Sequence, residues 1–241
     1  PLTALTPVFT IGDPIMEPLV LPQGLSKHAA RERAVEMLQS VGVSNPGTRA
    51  DAYPHQLSGG LRQRAMIAMA LACEPELLIA DEPTTALDVS IQAQILELMR
   101  TLQRTLHTSL IFITHDLGVV AEMADRVAVM YAGRIVEEAT TGRLFAAPKH
   151  PYTWGLFDCL PNIDEPKGVR LVPIAGRPPN LRRPPAGCTF HPRCPYAFDR
   201  CRVEEPPLLP LPGGQTVRCW LYDSTTDEKP AETLRIEAVR H

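Results

Sequence analysis

Two short apolar runs, ELLIAD (76–81) and SLIFIT (109–114), stand about one helix apart, and this order constrains the fold more than any other feature. Runs of four apolar residues without alternation, LLIA and LIFI here, read as buried strands of a parallel sheet. Between them the sequence reads as a helix from Asp88 to about Leu106, with Ile91, Ile95, Leu98 and Leu102 on one core-facing stripe. Strand, helix, strand is the parallel crossover unit, so the chain is expected to be an α/β layered protein. The two runs are followed by Asp81–Glu82 and by His115–Asp116. Open α/β sheets bind their ligands at the carboxyl ends of their strands, and here those ends carry acids and an imidazole.

Other elements follow from local signals. Ser26 is expected to cap a helix in which Ala30, Ala34, Leu38 and Val41 form a stripe and Gly42 supplies the stop. In LSGGLRQR (57–64), Ser58 reads as an N-cap, with Ala65, Met66, Met69 and Ala72 as the buried stripe of the helix that follows. The glycine pair weakens that helix. A hydroxyl and bare N–H groups at a helix start form an anion site, and glycine lets a phosphate approach the backbone closely. RVAVMYAGRIVEEA reads as a hairpin turning at Ala132 and Gly133, and HPYTWGLFDCLP (150–161) as a short helix bounded by prolines.

Composition sets the boundaries. Of the 25 prolines, fifteen fall between Pro148 and Pro212, which divides the 241 residues into a mixed domain (1–147), a proline-rich extension (148–221) and a polar tail (222–241). A net charge of -3 argues against a general nucleic-acid binder. The longest apolar runs fall short of the roughly 18 residues that cross a bilayer, and no secretory signal opens the chain, so a cytosolic protein is expected.

The chemistry concentrates in LLIADEPTTALD. A carboxylate at a strand end suits Mg²⁺, often through water, and a second beside it can polarise an attacking water. LSGG lies a helix upstream, TTALD follows at once, and ITHD comes about thirty residues later. With this order and spacing the chain resembles the nucleotide-binding subunits of ATP-binding cassette (ABC) transporters. LSGG is similar to their signature, LLIADEP to their Walker B strand, TTALD to their D-loop and ITHD to their switch histidine. The resemblance implies that Ser58, Gly59 and Gly60 meet the γ-phosphate of an ATP held by a partner subunit. It implies that Asp81 serves Mg²⁺, Glu82 is the general base, His115 contacts the γ-phosphate, and Asp88 links the two sites across a dimer. Gln63 and Arg64 would support the signature helix, and Leu61 stands where many members have glutamine. The phosphate-loop pattern GxxxxGK[ST] occurs nowhere in the chain. The expectation is therefore a partial P-loop NTPase fold, truncated at its N-terminus, whose ELLIAD strand has an exposed apolar edge.

Cys188, Cys194, Cys201 and Cys219 are spaced C-x5-C-x6-C-x17-C in the extension. A cytosolic compartment disfavours disulfides, and the tight knuckle favoured by zinc is absent. Four thiolates from looser loops suit an iron–sulfur cluster. The region from about 150 to 221 resembles the C-terminal module of oligopeptide, dipeptide and nickel importer ATPases, some of which carry a [4Fe-4S] cluster. A cluster, zinc and free thiols all remain open. Cys73 and Cys159 are expected as buried small apolar residues, and Arg177, Arg182 and Arg183 as a solvated linker.

The resemblance implies an energy-coupling ATPase subunit of a peptide importer, using ATP and Mg²⁺ at the cytoplasmic face of the cell membrane. Its partners would be a second ATPase subunit, the same or different, and permease subunits that meet the segment around Val8 to Leu19. An extracytoplasmic peptide-binding protein would act indirectly, and no nucleic acid is expected. Two alternatives are a non-catalytic or regulatory remnant, because the phosphate loop is absent, and a cassette ATPase of DNA maintenance. The latter type carries long coiled coils, and no heptad stretch of that kind is present. Peptide or nickel as cargo is left open, since other subunits select it.

Overall fold

A computed structural model describes residues 5–160 and 173–224. The first four residues and all but three of the residues assigned to the polar tail lie outside these. The chain divides into two compact units, 1–119 and 120–241.

In the first unit, α1 (Gly12–Val20), α2 (Lys27–Ser40), α3 (Pro46–Ala50) and α4 (Gly59–Leu71) precede β1 (Leu77–Asp81), α5 (Val89–Leu106) and β2 (Ser109–Ile113). The α2 stripe forms as expected, with Ala30, Ala34, Leu38 and Val41 all fully buried. Ser26 accepts a hydrogen bond from the Ala29 N–H at 3.2 Å. Gly42 ends the helix with φ +74°, a left-handed conformation in which a side chain would be strained. Alanines and medium-sized aliphatics at Ile15, Leu19, Ala30, Ala34, Ala65 and Ala68 line the helical core.

On α4 the buried residues are Gln63, Ala65, Ile67, Ala68 and Leu71, while Met66 and Met69 are only half-buried. The strands pair in parallel, Ile79 opposite Ile111 and Asp81 opposite Ile113, as a two-stranded sheet among the described residues. They are not buried on both faces. On one face Leu78 and Leu110 line a small cavity together with Ile67, Leu71, Met99 and Leu102 of the helices. On the other face Leu77, Ile79, Ile111 and Ile113 are 47–60% exposed. The burial period of two thus belongs to a sheet with one covered face.

In the second unit, β3 (Arg126–Tyr131) and β4 (Arg134–Thr140) form the expected hairpin, turning through Ala132 and Gly133 at φ +48° and +77°. α6 (Leu117–Met123) spans the boundary between the units. α7 (Thr141–Ala146) and α8 (Pro151–Asp158) follow the hairpin, then α9 (Asp199–Val203), β5 (Leu209–Leu211) and β6 (Gln215–Val217). The sheet order is β3-β4-β6-β5, all antiparallel, so the hairpin and the proline-rich region share one sheet. The compositional boundary near residue 147 therefore falls inside the second unit. Its core joins Tyr131, Val136 and Leu144 to Phe190, with a second cluster around Trp154, Val217 and Leu221. Cys73 is exposed and Cys159 half-buried, against the expectation that both are core residues. Both sit just past helix ends, where the apolar stripe has run out.

Candidate nucleotide site

The site is built on the turn that leaves β1. Asp81 is the last residue of the strand, exposed, and its carboxylate makes no hydrogen bond or ion pair among the described residues. That leaves its oxygens available to a hydrated cation. Glu82 then takes φ +48°, a left-handed conformation that costs a non-glycine residue about 1–2 kcal/mol. Its N–H donates to the Ile113 carbonyl at the end of β2, 2.9 Å away. This bond turns the side chain of Glu82 toward the loop that follows β2.

Both carboxylate oxygens of Glu82 are engaged. His115 Nδ1 lies 2.8 Å from Oε1, and Thr85 donates its hydroxyl to Oε2 at 2.7 Å. The His115 hydrogen bond, then that of Thr85, holds the Glu82 carboxyl below the ordinary carboxylate range. The same contact with Glu82 raises the His115 imidazole above its ordinary value. His115 is placed by the turn after β2, where Asp116 accepts from the Gly118 and Val119 N–H groups at 2.8 and 3.2 Å. Thr85 was not singled out from the sequence. Its signal was available, since a hydroxyl three residues after a carboxylate at a strand end is within reach across one turn.

Ser58 is the N-cap of α4, but its bond from the Leu61 N–H is long, at 3.4 Å. Packing also favours the glycine pair. A Cβ on Gly60 would lie 2.9 Å from Ile91 Cγ2, and one on Gly59 would lie 3.7 Å from Leu87. The start of α4 thus packs closely on Leu87, in the turn after β1, and on α5, which a side chain at residue 60 would oppose. Asp88, beside these contacts, caps α5 by accepting from the Ile91 N–H at 2.9 Å. Arg64 donates to the Val41 carbonyl at 2.6 Å and Gln63 is buried, so both tie α4 into the helical core. The structure brings Glu82 and His115 together, and it sets Gly59 and Gly60 against the neighbours of Asp88.

The four cysteines of the extension line one pocket with His150 and Phe190. None of them is joined in a disulfide. Burial raises every one of them, Cys194 to about 12, so the unliganded groups are protonated. Gly187 permits the approach of Cys188 to Cys201. Its φ is +68°, a Cβ there would lie 2.5 Å from the Cys201 carbonyl oxygen, and that carbonyl accepts from the Cys188 N–H at 2.9 Å. Among the described residues no three His, Cys, Asp or Glu side chains are grouped closely enough to hold one metal ion. No helix of the described residues is long and apolar enough to cross a membrane.

Residues 3–85 match the ABC transporter family, and residues 136–201 match the family described as the oligopeptide/dipeptide transporter C-terminal region. The oligopeptide transport ATP-binding protein AppD of Bacillus subtilis is 54% identical over 229 residues, 95% of this chain and 70% of that protein. The dipeptide transport ATP-binding protein DppD of Escherichia coli is 52% identical over 219 residues, 91% of this chain and 67% of that protein. Among solved structures, the dimeric ATP-binding cassette MJ0796 bound to ADP and Pi is similar with a TM-score of 0.50 and 31% identity. That match covers 57% of this chain and 59% of the cassette.

Proposed function

Because the chain belongs to the ABC transporter ATPase family, in the oligopeptide and dipeptide branch, we propose that it couples ATP hydrolysis to peptide import. The observation that carries the reading is the Glu82 carboxylate, held charged at a strand end between His115 and Thr85 and beside an unengaged Asp81. In hydrolysis a water oxygen bonds to the γ-phosphorus as the bond to the β–γ bridging oxygen breaks, and the water's proton passes to Glu82. Asp81 would hold Mg²⁺, His115 would turn to the γ-phosphate, and Ser58, Gly59 and Gly60 would close over a nucleotide held by a second ATPase subunit. Asp88 would carry contact between the two sites. The relevant partners are that second subunit, permease subunits at a membrane surface and, indirectly, a peptide-binding protein. The test is transport by the importer assembled in vesicles around the full-length chain. Peptide uptake should require hydrolysable ATP; uptake of nickel in place of peptide, or uptake without ATP, overturns the reading.

For the chain's organisation, residues 1–147 form the cassette part, 148–221 an extension seated on the β3–β4 hairpin, and 222–241 a tail. The pairing of β4 with β6, Glu137 opposite Val217, supports that seat. Cys188, Cys194, Cys201 and Cys219 would hold a [4Fe-4S] cluster. What supports this reading is that all four thiols, drawn from separate segments, line one pocket. Bound there, the cluster would supply a covalent cross-link between the 188–201 loops and residue 219. Because the thiols are protonated when free, loading must release protons, and affinity should fall in acid. Anaerobically prepared protein is expected to contain iron and acid-labile sulfide and to absorb in the visible. A colourless, iron-free preparation discards the cluster.

A further inference from the structure

We propose that Thr85 is a positioning residue for ATP hydrolysis, anchoring one oxygen of Glu82 so that the other stays aimed at the attacking water once His115 has left it. The inference rests on Glu82 as the general base.

The two partners of the carboxylate differ in kind. His115 reaches Oε1 from the far strand, through a ring whose side chain is 82% exposed, and a side-chain rotation is enough to remove it. Thr85 reaches Oε2 from within the same turn. Its own N–H also donates to the Glu82 carbonyl, at 3.2 Å. The backbone beneath is fixed by the bond from the Glu82 N–H to Ile113 and by the left-handed φ of Glu82. Thr85 is also exposed and its hydroxyl can rotate away, but the fixed turn keeps its Cβ beside Glu82, so the bond re-forms without any movement of a second loop.

This asymmetry matters because a general base needs one oxygen free and within hydrogen-bond reach of the water. With His115 in place, Oε1 is occupied; when His115 engages the nucleotide, Oε1 becomes the free oxygen. The terminal torsion of a glutamate is broad and roughly two-fold, so an unanchored carboxylate would sample many orientations. A hydroxyl bond on Oε2 removes that freedom and leaves Oε1 pointing where His115 had been. Misplacing a reacting group by about 1 Å can cost on the order of 10²-fold in rate.

The experiment compares ATP turnover by the assembled importer carrying wild type, Thr85→Val or Thr85→Ser, each also combined with Glu82→Gln. Thr85→Val is expected to lower kcat by about 10- to 100-fold with KM for ATP within about two-fold of wild type. Thr85→Ser, which keeps the hydroxyl, should restore most of the loss. In the Glu82→Gln background, single-turnover rates with threonine and valine at position 85 should agree within about two-fold, because Thr85 acts only through the base. A Thr85→Val enzyme as fast as wild type, a serine variant as slow as valine, or an equal loss in both backgrounds overturns the proposal. The assignment of Glu82 fails separately, if Glu82→Gln alone turns over normally.

Discussion

Replacing Glu82 with glutamine is expected to cut ATP turnover by about 10²- to 10⁴-fold, the usual loss when a general base is removed, while ATP binding is unchanged. The substitution changes little besides basicity. Glutamine keeps the volume and the branched end, so its carbonyl oxygen can still accept from His115 or Thr85, and the turn that ties Glu82 to Ile113 is a backbone feature. What it removes is a group able to take the water's proton. In the native protein His115 and Thr85 both favour the charged form, so at neutral pH the carboxylate is already deprotonated and ready to accept. Steady-state turnover and equilibrium nucleotide binding, measured on the same importer preparation, separate the two effects. Turnover within about two-fold of wild type would take Glu82 out of the base role.

The parts of this arrangement that could be read from sequence are those whose cause is local. Ser26, Gly42 and Asp88 declare helix ends because capping and left-handed backbone are chemistry of one or a few residues. The Ala132–Gly133 turn is legible for the same reason. What escaped depends on neighbours distant in the chain. Leu77 and Ile79 have the composition of a buried strand, yet their exposure is decided by what covers the sheet, which a period of apolar residues does not encode. On α4 the stripe lies on Ile67, Ala68 and Leu71 because helices and a sheet contact it from more than one side. The β5–β6 hairpin was hidden by prolines at 210 and 212, although Gly213 and Gly214, at φ +79° and +78°, mark its turn. At the site, Glu82 and His115 were legible as a pair of strand ends. The anchoring hydroxyl of Thr85 was not, since its role appears only when the turn after β1 is folded.

Glu137 gives the largest expected effect on stability, and no sequence signal marks it. It lies on β4 and is fully buried, with Oε1 accepting from the Lys149 N–H at 2.6 Å and from Gln215 Nε2 at 2.8 Å. Oε2 accepts from the His150 N–H at 2.8 Å. One carboxylate thus joins β4 to the start of α8 and to β6, and so holds the extension to the hairpin. Glu137→Ala would take the acceptor from the buried His150 N–H and the half-buried Lys149 N–H, leave Gln215 only its 3.3 Å bond to the Ala147 carbonyl, and is expected to destabilise the second unit by about 3–5 kcal/mol. Glu137→Gln keeps the volume but turns an amide N–H₂ toward one of these donors, for a loss of about 1–3 kcal/mol. Burial raises the Glu137 carboxyl above its ordinary value, so the native state binds its proton more tightly than the unfolded chain. Stability from this group must then fall as pH rises through the ordinary carboxylate range and above it, and the gap between wild type and Glu137→Gln should narrow in the same direction. His150 acts in the opposite sense. Burial pushes it down to about 3, so the unit loses stability as pH falls below the ordinary histidine range. Both tryptophans, Trp154 and Trp220, lie in this unit, so denaturant unfolding followed by their fluorescence reports it directly. An unfolding midpoint for Glu137→Ala equal to that of wild type would show that the three donors find other acceptors, and that this carboxylate does not hold the extension in place.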